Sequence, residues 1–330
     1  MGEINSYTGN IFNIHKEREF EDLALKIFKY QFQNNKVYKL YIKTLGLDNT
    51  KIRKIKDIPF LPIDFFKTHK VVGSTQIPEQ IFTSSGTGGA LQSKHFVTDI
   101  KVYIRSFLKG FSHHYGEVSN YCILALLPSY LEREGSSLVF MVNELIKQSN
   151  HVESGFFLDN HAELVEMLNS KNLKNKNVLL MGVSYALLDL VENFSVRHPN
   201  LIVMETGGMK GRRKELIREE LHEILKKVFG INSIHSEYGM TELLSQAYSS
   251  GEGIFTTPPW MKILIRDPND PFQLLENGQS GGINVIDLAN INSCSFIMTQ
   301  DLGRMTNDNT FEVLGRFDAS DIRGCNLLVD

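Results

Sequence analysis

The residues from Phe82 to Gly89, Phe-Thr-Ser-Ser-Gly-Thr-Gly-Gly, put four hydroxyls and three glycines into eight positions. Glycine admits positive φ and lets backbone N–H groups converge, and such a nest, flanked by hydroxyls, cradles phosphate. Lys94 follows and can add a cation. No Gly-Lys-Ser/Thr closes the loop, so it is not a Walker A motif. On composition alone, phosphate binding and a plain flexible turn are equally good readings. Three further segments tilt the balance towards a ligand. The run Met204-Glu205-Thr206-Gly207-Gly208-Met209-Lys210-Gly211 follows an apolar strand and precedes a long helix. In an α/β sheet that is the carboxyl edge of a strand, where ligands bind. The run Ser236-Glu237-Tyr238-Gly239-Met240-Thr241-Glu242 supplies an aromatic face, a turn, a hydroxyl and a carboxylate. Finally, Thr299-Gln300-Asp301-Leu302-Gly303-Arg304 is followed by Gly315-Arg316-Phe317-Asp318. Asp301 can hold a vicinal diol, and Arg316 can balance phosphate charge.

The elements that must position these residues are legible as periodicities. Residues 17–46 read as helices, and Pro59 and Pro62 then impose an extended connection. From residue 80, short apolar runs (Tyr121 to Leu127, Asn177 to Met181, Leu201 to Met204) alternate with helical stretches at Ile100–His113, Ser136–Gln148, His161–Leu168, Tyr185–Phe194 and Arg212–Phe229. That alternation predicts an α/β fold, a mostly parallel sheet flanked by helices. After residue 250 the pattern changes to short strands with Gly and Asn turns, a small and more antiparallel C-terminal β unit. The expected organisation is a helical segment over 1–75 packed on the main domain, an α/β core over 76–250 and a β-rich subdomain over 251–330.

Composition excludes several function classes. The chain has 330 residues, 42% of them hydrophobic, with 35 Lys and Arg against 38 Asp and Glu and a net charge of −3. A nucleic-acid binder of strongly basic type is excluded, and the apolar content argues against disorder. Three scattered cysteines, Cys122, Cys294 and Cys325, make neither a disulfide framework nor a zinc site. The polar start carries charges of both signs and is no signal peptide, and the longest apolar stretch, Val178 to Val191, falls short of the about 20 residues a membrane helix needs. Together these point to a reducing cytoplasm and no membrane span. No carboxylate at useful spacing marks His95, His113, His114 or His235 as a general base, and His113-His114 lacks zinc-ligand spacing.

The four segments, in this order over residues 82–318, resemble the adenylate-forming superfamily of acyl-CoA synthetases, luciferases and related ligases. The resemblance implies a first half-reaction in which a carboxylate attacks the α-phosphate of ATP to give an acyl-adenylate and pyrophosphate. It places Ser84, Ser85, Gly86, Thr87, Gly88 and Gly89 at the pyrophosphate end. It places Gly207, Gly208 and Met209 beside the adenine, with Tyr238 and Gly239 in the stacking turn. Thr241 would touch the α-phosphate, Glu242 would ligate Mg²⁺, and Asp301 would take the ribose hydroxyls with Arg316 nearby. One carboxylate plus phosphate oxygens is a usual protein share of a Mg²⁺ site. The chain departs from the superfamily pattern at Gly88, where a second Thr is usual, in lacking a Pro-Lys pair after the loop, and at Gln300, where a glycine is usual.

The superfamily continues beyond the Gly-Arg-x-Asp segment into a mobile domain of about a hundred residues. This sequence stops at Asp330, twelve residues after Asp318, so that domain and its adenylation lysine are expected to be absent. The segments Phe60-Leu61-Pro62-Ile63-Asp64-Phe65-Phe66-Lys67 and Leu127-Pro128-Ser129-Tyr130-Leu131-Glu132-Arg133, with the ending Arg323-Gly324-Cys325, resemble the acyl-protein synthetases, the LuxE-type subunits of bacterial fatty-acid reductase complexes. That resemblance implies a fatty acid or other carboxylic acid as substrate, acyl transfer to Cys325 as a thioester, and an acyl reductase or other acyl-acceptor protein as partner. Cys122 and Cys294 sit in apolar runs and read as core. Two alternatives stand beside it: an aryl- or acyl-CoA ligase similar to phenylacetate-CoA ligases, and a non-catalytic acyl- or nucleotide-binding subunit.

Overall fold

The helix Ile100–Tyr115 shows how the local pattern becomes packing. Val102, Tyr103, Ser106, Phe107, Gly110 and Phe111 recur at three- and four-residue spacing and are its buried face. Asp99 starts it by accepting the Lys101 N–H, and Gly116, at φ 83°, stops it while donating its N–H to Ser112. The same logic builds most of the chain. A computed structural model describes residues 2–73, 77–85, 91–128, 135–158, 160–207, 216–307 and 309–317. The chain divides into two compact units, residues 78–258 and residues 1–77 with 259–330.

The first of these units is built on a parallel sheet. Its strands run in the order Gly155–Phe156, Tyr121–Leu126, Asn177–Gly182, Leu201–Thr206 and His235–Tyr238, all parallel. Ala247–Ser249 and Ile254–Thr256 then add antiparallel pairings. The helices Ser137–Ser149, His161–Asn169, Ser184–Asn193 and Arg218–Phe229 provide the crossovers. Nearly every residue of the three central strands is buried, as expected when helices cover both faces of a sheet. A separate hairpin pairs Gln80–Thr83 with Lys94–Val97, and the glycine-rich segment runs between its two strands.

The second unit joins the first helices to the last strands. Met261–Arg266, Ser280–Asp287, Phe296–Asn307 and Thr310–Arg316 form an antiparallel meander, and Leu61–Pro62 pairs in parallel with Phe296–Asn307. The helices Glu17–Asn34 and Lys36–Thr44 are pinned to it by buried amides. Gln31 Nε2 donates to the carbonyls of Asn290 and Ile291, and its Oε1 accepts the Ser295 N–H. Asn35 caps the second helix through the N–H groups of Val37 and Tyr38 and donates to the Ser293 carbonyl.

A buried arginine organises this meander. Arg266 donates to the carbonyls of Ile283 (2.8 Å) and Thr299 (2.6 Å) and to Asn284 Oδ1 (3.0 Å). A side chain at Gly282 would collide with the guanidinium. Replacing Arg266 with Met strips three buried acceptors of a charged donor, and the expected loss is about 3 kcal/mol in a urea melt. An unchanged midpoint would show that the guanidinium is dispensable.

Candidate adenylation site

The unit of residues 78–258 carries most of the candidate residues. Ser84 and Ser85 directly follow the strand Gln80–Thr83. Ser84 closes the neck of the hairpin twice: its N–H donates to the Ser93 carbonyl (3.1 Å), and its Oγ accepts the Ser93 N–H (2.9 Å). The Thr83 N–H is held by the Gly135 carbonyl at 2.7 Å. Gly86, Thr87, Gly88 and Gly89 lie outside the described residues, as do Gly208, Met209 and Cys325.

Gly207 stands just beyond the strand Leu201–Thr206 with φ 66°, a left-handed conformation glycine adopts without strain. Its carbonyl accepts the Ser184 hydroxyl at 2.8 Å. Tyr238 ends the neighbouring parallel strand and is 8% exposed, its ring meeting Phe255 edge-on at 6.1 Å. The chain then turns through Gly239 and Met240, with the Leu243 N–H donating to the Met240 carbonyl. Any side chain at Gly239 would strike the Glu237 carboxylate. Thr241 is half-buried, and Glu242 is buried at 5% exposure.

Two buried glutamates beneath this edge carry electrostatics that motif reading passed over. Thr206 and Glu237 are partners across the parallel strands, so they share a face, and the Thr206 hydroxyl donates to Glu237 Oε2. Burial pushes the Glu237 carboxyl up to about 7; the Thr206 bond opposes this, and the charge of Glu205 adds to it. Burial also disfavours charge on Glu205, but His222 and Arg218 outweigh it and hold that carboxyl below the ordinary glutamate range. Arg218 Nε lies 3.6 Å and His222 Nε2 3.7 Å from Glu205 Oε1. The Arg218 guanidinium lies 5.2 Å from the Phe255 ring centre, and Phe255 in turn meets Tyr238. A signal exists for Glu205, a charged residue at the C-terminal end of the apolar strand Leu201–Thr206, but not for Glu237, whose strand reads His-Ser-Glu-Tyr.

The raised Glu237 value has a consequence for stability. The folded protein binds this proton more tightly than the unfolded chain, whose glutamate titrates near 4.5. The contribution is complete below about 4.5 and is lost as the pH rises through about 7. Glu237→Gln keeps an acceptor for Thr206 and removes the ionisation. Its melting temperature is expected to match the unmutated chain at pH 5 and to exceed it by roughly 3–6 °C at pH 8. Equal melting temperatures at both pH values would contradict this.

Asp301 and Arg316 belong to the other unit. They are cross-strand partners in the meander, and Arg316 Nε lies 3.1 Å from Asp301 Oδ1. Asp301 is 7% exposed, whereas the Arg316 side chain is 74% exposed. Solvent screens such a pair, so it adds little to stability. The Asp301 N–H donates to Thr299 Oγ1, and Arg266 holds the Thr299 carbonyl, so the buried arginine sets the backbone that presents Asp301. Gln300 donates to Asp64 at 2.7 Å.

The family described as "Acyl-protein synthetase, LuxE" matches residues 10–330. The chain belongs to this family. It is a ligase. A long-chain-fatty-acid–luciferin-component ligase of Vibrio harveyi is 23% identical over 342 residues, covering 96% of this chain and 89% of that protein. Among solved structures, 2-hydroxyisobutyryl-CoA ligase with its acyl-AMP and CoA in the thioesterification state is similar at a TM-score of 0.66 and 13% identity, covering 93% of this chain and 70% of that one. ATP-bound MatB from Rhodopseudomonas palustris gives 0.52 and 17%, covering 72% of this chain and 47% of that one. The α/β fold is thus that of adenylate-forming ligases. Among the described residues, no helix is long and apolar enough to cross a membrane.

Proposed function

We propose that this LuxE-family ligase uses ATP to activate a fatty acid as its acyl-adenylate and then takes the acyl group onto its own Cys325 for delivery to an acyl reductase. In the first step a carboxylate oxygen bonds to the α-phosphorus, the bond to the bridging β-phosphate oxygen breaks, and pyrophosphate leaves. In the second step the Cys325 thiolate attacks the acyl carbon, the acyl–phosphate bond breaks, and AMP leaves. What carries this reading is that the family match spans residues 10–330, which include all four candidate segments and Cys325.

Negative charge grows on the phosphate oxygens in the first step, so the site must supply donors and a cation. Ser84, Ser85, Gly86, Thr87, Gly88 and Gly89 hold the pyrophosphate end. Gly207, Gly208, Met209, Tyr238 and Gly239 take the adenine. Thr241 donates to the α-phosphate, while Asp301, with Arg316 beside it, takes the ribose hydroxyls. Glu242 suits Mg²⁺: it is a buried carboxylate, and four residues further along the chain Gln246 Oε1 is buried without a hydrogen-bond partner, a second hard oxygen close in sequence. Bound there with the phosphates, Mg²⁺ would supply charge neutralisation.

The other two cysteines do not suit acyl transfer. Burial raises both thiols, Cys294 to about 12, which keeps them protonated at neutral pH. The test is incubation of the full chain with ATP and radiolabelled tetradecanoate, followed by a denaturing gel. The expected result is label on the protein that neutral hydroxylamine releases. Soluble acyl-CoA on addition of CoA, without protein label, would favour the CoA-ligase reading instead.

A further inference from the structure

We propose that His95 is a positioning residue for adenylation, tying the glycine-rich hairpin to the turn that carries Thr241 and Glu242; the inference rests on the adenylation reading above. His95 lies on the strand Lys94–Val97, opposite Phe82 of the strand that leads into the loop. It is wholly buried. Its Nδ1 stands 2.8 Å from the carbonyl oxygen of Thr241, 146 residues away in sequence. A carbonyl only accepts, so Nδ1 carries the proton and the tautomer is set.

The position of this bond is what gives it a role. At one end, Ser84 and Ser93 lock the neck of the hairpin on either side of the loop. At the other, the turn after Tyr238 is closed by its own Leu243-to-Met240 bond, and His95 takes the carbonyl of the residue assigned to the α-phosphate. One rigid imidazole therefore fixes the turn with Thr241 and Glu242 to the hairpin that holds the pyrophosphate end. Packing alone does not call for it, because a buried imidazole loses hydration that an apolar side chain of similar volume never had. Misplacing reacting groups by about 1 Å costs on the order of 10²-fold in rate.

Two substitutions separate positioning from packing. His95→Asn puts an amide N–H where Nδ1 stands and restores the bond to Thr241. His95→Gln puts its amide where Nε2 stands and does not. The readout is tetradecanoate-dependent exchange of radiolabelled pyrophosphate into ATP, with melting temperature measured alongside. For His95→Ala and His95→Gln, kcat is expected to fall about 10²-fold while KM for ATP moves less than about threefold. His95→Asn is expected to recover to within about fivefold of the unmutated chain. Should His95→Ala fail to fold, the Asn and Gln variants decide the matter between them. Equal activity of those two, or full exchange in His95→Ala, overturns the positioning role. Absence of exchange in the unmutated chain refutes the adenylation reading itself.

Discussion

Cys325→Ala is expected to abolish covalent acylation while leaving fatty-acid-dependent pyrophosphate exchange within about twofold of the unmutated chain. The two steps use different atoms. Exchange needs only reversible attack of the carboxylate on the α-phosphorus, and a thiol plays no part in it. Acylation needs a thiolate within reach of the adenylate. Cys294 is wholly buried and donates its S–H to the Phe296 carbonyl at 3.3 Å, and Cys122 is wholly buried in a central strand. Cys122→Ser is therefore expected to retain the label. Loss of exchange in Cys325→Ala would contradict the separation of the steps, and retained label would remove Cys325 from the mechanism.

Thr241→Ala and Glu242→Gln are expected to give the opposite pattern, with exchange and acylation falling together by about 10²–10³-fold each. In the proposed mechanism Thr241 supplies a donor where charge develops, and removal of one such donor carries a penalty of that order. Glu242→Gln keeps the volume and removes the charge that would hold Mg²⁺ against the phosphates. Its defect should ease as Mg²⁺ is raised, because a weakened site fills by mass action. A defect in Thr241→Ala confined to acylation, with exchange intact, would place that residue in the second step.

The sequence announced some of this architecture and concealed the rest, for physical reasons. Alternation of apolar runs with amphipathic stretches marked the parallel sheet, since each strand is buried on both faces and each helix on one. Asp301 and Arg316 were legible as a pair of chemistries, but their pairing depends on strand register, which no local pattern reports. The bond from His95 to Thr241 spans 146 residues, and those from Gln31 to residues 290–295 span about 260. A lone buried histidine or glutamine carries no periodic signature, so such links appear only once the chain is folded. Glu205 and Glu237 were in view as letters within motifs. Burial disfavours charge on both, and their opposed shifts follow from neighbours on other elements: His222 and Arg218 outweigh burial at Glu205, whereas at Glu237 burial and the charge of Glu205 outweigh the Thr206 bond.

The most direct test of the central claim is intact-protein mass spectrometry, with peptide mapping, after incubation with ATP, Mg²⁺ and tetradecanoate. The expected product is a single acyl adduct per chain, formed only when ATP is present and located on the peptide containing Cys325. No adduct, or an adduct on another residue, would contradict it.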